Sequence, residues 1–128
     1  MIPIGTPTTS VGAYIAECQR VLESMKGQGI VYEMHGYGTN LEGPFMTVSR
    51  AIERCHEAVH AMGVGRIATD IRIGTRVDKP APSVSSSETR QPDPTSLGPS
   101  DEDWAKGLSE NQRKKQSVLR RLEEDFKG

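Results

Sequence analysis

Aromatic side chains are scarce in this chain: two phenylalanines, three tyrosines and one tryptophan make up 5% of its 128 residues. Single-strand nucleic-acid platforms stack bases on such rings, so this composition argues against one. Charge of one sign is missing too, because the formal net charge is -1 and neither half of the sequence is strongly basic or acidic. That excludes an electrostatic footprint for a polyanion. Long apolar runs are absent, and none approaches the roughly 18 residues that a membrane helix requires. The start carries neither a basic n-region nor an apolar h-region, so no export signal is visible and a cytosolic location is expected. Only two cysteines occur, Cys18 and Cys55, too few for a disulfide framework. Each falls on the apolar face of a predicted helix, where a reduced thiol acts as a small hydrophobe.

What remains suffices for one core, since a single domain commonly takes about 100 to 200 residues. Residues 2–5, IPIG, read as the end of a short strand. The loop TPTTS then leads to Ser10, a good N-cap, before a helix whose stripe is Val11, Tyr14, Ile15, Cys18, Val21, Leu22 and Met25. Gly27 and Gly29 end it. IVYEMHGY, residues 30–37, alternates as a half-buried strand does, and a turn at Gly36 to Gly38 feeds a second strand, TNLEG. Pro44 opens a second helix, with Phe45, Val48, Ile52, Cys55, Val59 and Met62 as its stripe and Gly63 as its stop. RIATDIRIG, residues 66–74, supplies a last alternating strand.

The order strand, helix, strand, strand, helix, strand predicts an α+β ferredoxin-like βαββαβ sandwich over residues 1–79. Its four-stranded antiparallel sheet would carry both helices on one face and leave the other open. Residues 80–100, rich in serine and proline, bury too little apolar surface to offset ordering and predict a disordered linker. Residues 101–128 then form a charged helical segment. Ser100 and Asp103 can cap a start at Trp104, and Val118, Leu119, Leu122 and Phe126 make a narrow apolar edge. That edge either docks on the domain or binds a partner.

HEAVH, residues 56–60, matches the H-E-x-x-H zinc motif. The extended metalloprotease pattern needs a histidine at position 66, where Arg66 stands, and a guanidinium does not ligate zinc. On the helical wheel His56 flanks the stripe and His60 lies nearer solvent, so the pair faces no enclosed cleft. The sequence therefore predicts no metal site. No serine sits in a G-x-S-x-G setting and both cysteines point inward, so no catalytic residue is assigned.

Strand parity separates the apolar sets from Glu33, His35, Asn40, Glu42, Asp70 and Arg72, which fall to the open face. Two readings fit such a face. Cross-strand ion pairs on a solvated sheet are one, and they are individually weak. A polar pocket closed by a second subunit is the other, with Tyr14, Tyr32 and Tyr37 as possible aromatic walls. The loop GTPTTS, with Ser10, adds hydroxyls beside a helix N-terminus, where an anion or hydroxyl-bearing ligand could bind.

IPIGT, the serine-capped helix, YEMHGYGTNLEG, HEAVHAMG and RIATDIRIGTRVDK together resemble the thiamine-binding protein family, whose single YkoF-like domains occur in bacteria, archaea and fungi. The resemblance covers residues 2–79. It implies a ferredoxin-like subunit that assembles through its sheets into homodimers or homotetramers and binds thiamine, or a related small molecule, without transforming it. The family segment GT..EG falls on Gly38, Thr39, Glu42 and Gly43. A thiazolium is a permanent cation suited to a carboxylate and aromatic faces, and an aminopyrimidine wants paired donors and acceptors. Glu42, Asn40 and Tyr37 are the expected partners, with Thr39, His35 and Ser10 nearby, while Arg72 suits a carboxylate or sulfate. No cofactor beyond thiamine as bound ligand is implied.

Two departures from the family stand out. Relatives carry several residues before IPIG, so the first strand is expected to be short here or the true start to lie upstream of Met1. Relatives also reach their last helix after a shorter link. An interaction module, with a sheet face used only for assembly and a terminal helix that recruits a partner, is the alternative function.

Overall fold

A computed structural model describes residues 1–77 and 109–127. The chain falls into two units, Met1–Pro80 and Ala81–Gly128. The expected linker at 80–100 and helix start at Trp104 lie outside the described residues.

In the first unit the elements follow the expected order: β1 (Ile2–Ile4), α1 (Gly12–Ser24), a 3₁₀ turn (Lys26–Gln28), β2 (Val31–His35), β3 (Gly38–Glu42), α2 (Phe45–Ala61) and β4 (Arg66–Ala68). The sheet differs from expectation. Instead of four joined strands, β1 pairs antiparallel with β4, and β2 pairs antiparallel with β3, as two separate two-stranded sheets. β1 is only three residues long and its central residue is Pro3, which has no N–H to donate. β4 likewise stops at Ala68, so the expected strand to residue 74 is cut to its first third.

One core nevertheless unites the pieces. Cys18, Leu22 and Met25 from α1 and the turn after it meet Ala51, Cys55 and Val59 from α2, with Ile30 and Val64 closing the cluster. Tyr32 of β2, Leu41 of β3 and Ile67 of β4 pack against it, so both small sheets turn an inner face to the same helices. Met25 and Val59 are wholly buried, which contributes roughly 1.5 to 3 kcal/mol for each such side chain. α1 buries its predicted stripe except at its start, where Val11 is exposed. α2 departs at both ends, because Phe45 and Met62 are exposed. A helix of 17 residues is about 25 Å long and overreaches strands of three to five residues.

Caps refine the reading. Val11, not Ser10, occupies the N-cap of α1, without a side-chain cap bond. The preceding loop satisfies itself instead, as Thr6 Oγ1 donates to the Thr8 carbonyl at 2.8 Å and Thr8 Oγ1 to the Ser10 carbonyl at 3.4 Å. Gly63, at φ 91°, stops α2, and its N–H donates to the His60 carbonyl at 2.9 Å.

In the second unit, α3 (Glu110–Lys127) begins on a capping box that the sequence reading missed. The Gln112 N–H donates to Ser109 Oγ at 3.2 Å, and the Ser109 N–H donates to Gln112 Oε1 at 2.9 Å. The signal was present as Ser109, Glu110, Asn111, Gln112.

Candidate functional site

The β2–β3 hairpin decides which side chains share a face. Its register sets Val31 against Glu42, Glu33 against Asn40, and His35 against Gly38. The intervening pairs, Tyr32 with Leu41 and Met34 with Thr39, have the opposite parity. Tyr32 and Leu41 pack on the core, so Glu33, His35, Asn40 and Glu42 occupy the face turned away from the helices. Glu33 and Glu42 are half-buried there, whereas His35 and Asn40 are exposed. The turn is closed at its tip by the Tyr37 N–H, which donates to His35 Nδ1 at 3.4 Å.

Five of the expected residues stand elsewhere. Thr39 lies on the inner face, where its Oγ1 accepts from Gln19 Nε2 of α1 at 3.5 Å. Its odd spacing from Asn40 and Glu42 dictates that side. Tyr37 occupies the turn itself and is fully exposed. Arg72, and Asp70 before it, follow the end of β4 rather than lying within a strand, and both are exposed. Ser10 lies in the exposed loop before α1.

The other two tyrosines are not walls of this face. Tyr14 and Tyr32 pack against the core. The Tyr32 hydroxyl donates to a Glu23 carboxylate oxygen on α1, and Lys26 Nζ stands 5.5 Å from the ring centroid. Bonding to the carboxylate raises the phenol above its ordinary value, while the Lys26 ammonium, and then Tyr32, hold the Glu23 carboxyl below its own.

The outer surface of β1 and β4 has different chemistry. Ile2 pairs with Ala68 and Ile4 with Arg66, while Pro3 and Ile67 take the inner side. Ile2 and Ile4 are 50% and 42% exposed, an apolar contrast to the polar hairpin.

Both histidines of HEAVH serve the fold. His56 Nε2 bonds Thr69 Oγ1 at 2.8 Å, and His60 Nδ1 bonds the Val64 carbonyl oxygen at 2.7 Å. Their ring centroids are 6.4 Å apart. Among the described residues, no three His, Cys, Asp or Glu side chains gather in a way that could hold a metal ion. A recess of about 530 Å³ is lined by Gln28, Arg50, Glu53, Arg54 and Glu57. All five are exposed and none belongs to the predicted site, so it is the solvent side of α2.

The family model described as Thiamine-binding protein matches residues 1–86. The chain therefore belongs to the thiamine-binding protein family, which is named for binding a ligand. Among its relatives, UPF0045 protein sll0230 of Synechocystis is 48% identical over 80 residues, which cover 62% of this chain and 63% of that protein. UPF0045 protein YqgV of Bacillus subtilis is 42% identical over 80 residues, 62% of this chain and 77% of its own length. A UPF0045 protein of Methanothermobacter thermautotrophicus is 35% identical over 79 residues, 61% of this chain and 77% of that protein. The matched segment thus spans less than two thirds of the Synechocystis protein. No solved structure matches the chain. No helix among the described residues is long and apolar enough to cross a membrane.

Proposed function

We propose that this protein binds thiamine, or a closely related cationic small molecule, without chemically transforming it. The observation that carries this reading is the outer face of β2–β3, where Glu33, His35, Asn40 and Glu42 converge on one side of a hairpin inside the family match. A carboxylate offsets the charge of a thiazolium, and the Asn40 amide supplies both a donor and an acceptor for an aminopyrimidine. In this reading Arg72 and Tyr37 meet the ligand from the segments flanking the face, Ser10 from the loop before α1, and Thr39 only holds the hairpin to α1 from its inner side.

In this reading residues 1–79 form the binding domain and 101–128 a separate helical segment, joined by a linker at 80–100. The βαββαβ order completes a ferredoxin-like sandwich when β1 and β3 become neighbours in one four-stranded sheet. The protein works in the cytosol as a homodimer or homotetramer. Exposed Ile2 and Ile4 on the outer surface of β1 favour a second copy packing over that apolar surface.

The alternative is an interaction module. It is favoured by α3, whose Val118, Leu119, Leu122 and Phe126 are all exposed and leave an apolar edge for a partner. A thermal-shift screen with thiamine, its phosphates and its separate pyrimidine and thiazole halves separates the two. The binder reading expects a rise in Tm with thiamine that grows with concentration. No rise at millimolar ligand, with α3 capturing a partner, would favour the module.

A further inference from the structure

Three sulfur atoms that the binding site does not use meet inside the first unit. Cys18 of α1 and Cys55 of α2 are 8% and 6% exposed, and both are free thiols. Cys55 Sγ lies 3.8 Å from the Cys18 carbonyl oxygen. Cys18 Sγ in turn stands 3.7 Å from Met1 Sδ, at the edge of the core. The Cys55 thiol thus reaches across the α1–α2 seam to the backbone of Cys18, with the side chain of Met1 packed on the Cys18 sulfur.

We propose that Cys18 and Cys55 are an oxidation site: a hydroperoxide converts them to a disulfide that clamps α1 to α2. The surroundings divide the work. The neighbouring Cys55 side chain favours the Cys18 thiolate and brings that group down to about 7, whereas the same proximity, followed by burial, pushes Cys55 up. Cys18 is thus a nucleophile near neutral pH, and Cys55 keeps its proton until it is needed. With hydrogen peroxide, the Cys18 sulfur attacks one oxygen and the O–O bond breaks. The departing oxygen leaves as water after taking a proton, and Cys18 becomes a sulfenic acid. Cys55 sulfur then attacks Cys18 sulfur, the S–OH bond breaks, and hydroxide leaves as water with the Cys55 proton. Two thiols and one peroxide give one disulfide and two waters.

Helix packing gives the pair its consequence. A crosslink between positions 18 and 55 closes a long loop that spans β2 and β3, so it restricts the unfolded chain strongly. The oxidised protein should melt about 10 °C higher or more, if the bond forms without distortion.

The test is intact-mass analysis of the full chain after a stoichiometric dose of hydrogen peroxide, without reductant. The expected product is a monomer two hydrogens lighter, carrying a peptide crosslink between Cys18 and Cys55, and reverting with dithiothreitol. Cys18→Ser and Cys55→Ser, each checked for folding by circular dichroism, should lose that product completely. Cys18→Ala and Cys55→Ala serve if the serine variants unfold. A folded wild-type protein that gains oxygen atoms on cysteine or Met1, or that crosslinks only between chains, would overturn the proposal.

Discussion

Gly43 passes so close to Gly29 that a Cβ on Gly43 would lie 2.7 Å from the Gly29 carbonyl oxygen. The contact joins the end of β3 to the corner before β2, and Glu42 is the residue immediately before it. A backbone atom cannot move aside as a side chain can, so any other residue at 43 forces the hairpin off the corner. Gly43→Ala should cost about 1 to 3 kcal/mol, read as a lower midpoint in urea. An unchanged midpoint would show that the corner yields freely.

Tyr32 and Glu23 give a pH dependence with a definite sign. The phenol is raised above its ordinary value first by its bond to the carboxylate. A group raised in the fold contributes stability below its unfolded value, and that contribution is lost as pH climbs through the folded one. Glu23 is lowered, first by Lys26 and then by Tyr32, so its contribution is present above the ordinary carboxyl range and is lost as pH falls through the folded value. Ultraviolet titration of the tyrosines should show one late transition that moves to lower pH in Glu23→Gln. No movement would mean that the hydroxyl bonds elsewhere in solution.

His56 and His60 should behave as structural residues. His60→Ala removes the bond to the Val64 carbonyl that fastens the end of α2 to the chain leading into β4. The expected cost is about 0.5 to 1.5 kcal/mol, and added zinc should leave the Tm of the wild type unchanged. Zinc-dependent stabilisation that disappears in both His56→Ala and His60→Ala would return the pair to metal chemistry.

The face assignments allow a paired comparison. Asn40 and Thr39 are neighbours in sequence but lie on opposite sides of β3. Asn40→Ala should weaken thiamine binding about tenfold, the loss expected for a buried ligand hydrogen bond. Thr39→Val should leave affinity within about twofold while lowering Tm slightly, since Thr39 meets Gln19 rather than the open face. Equal losses of affinity in the two variants would place the ligand elsewhere.

Period-two alternation made the hairpin legible: Ile30, Tyr32 and Leu41 announce one buried side, and Glu33, Asn40 and Glu42 follow on the other. The helices were legible by the same logic at period 3.6, down to the glycine that ends α2. Sheet extent was not. Alternation through Ile71 and Ile73 looks like a strand, yet a strand forms only where a neighbour offers a ladder, and β1 supplies three residues. Ser10 illustrates the same limit, because a good capping residue one position too early leaves the cap to Val11. Thr39 was placed by family motif rather than by parity, and parity decided its side.

Thiamine binding through Glu42 is the claim on which the functional account stands. Calorimetric titration of the folded protein with thiamine tests it most directly, with Glu42→Ala measured alongside. The account predicts saturable binding to the wild type and an affinity about tenfold or more weaker in the variant, as loss of a charge-assisted contact requires. No heat up to millimolar thiamine, or equal affinity in the two proteins, would contradict it.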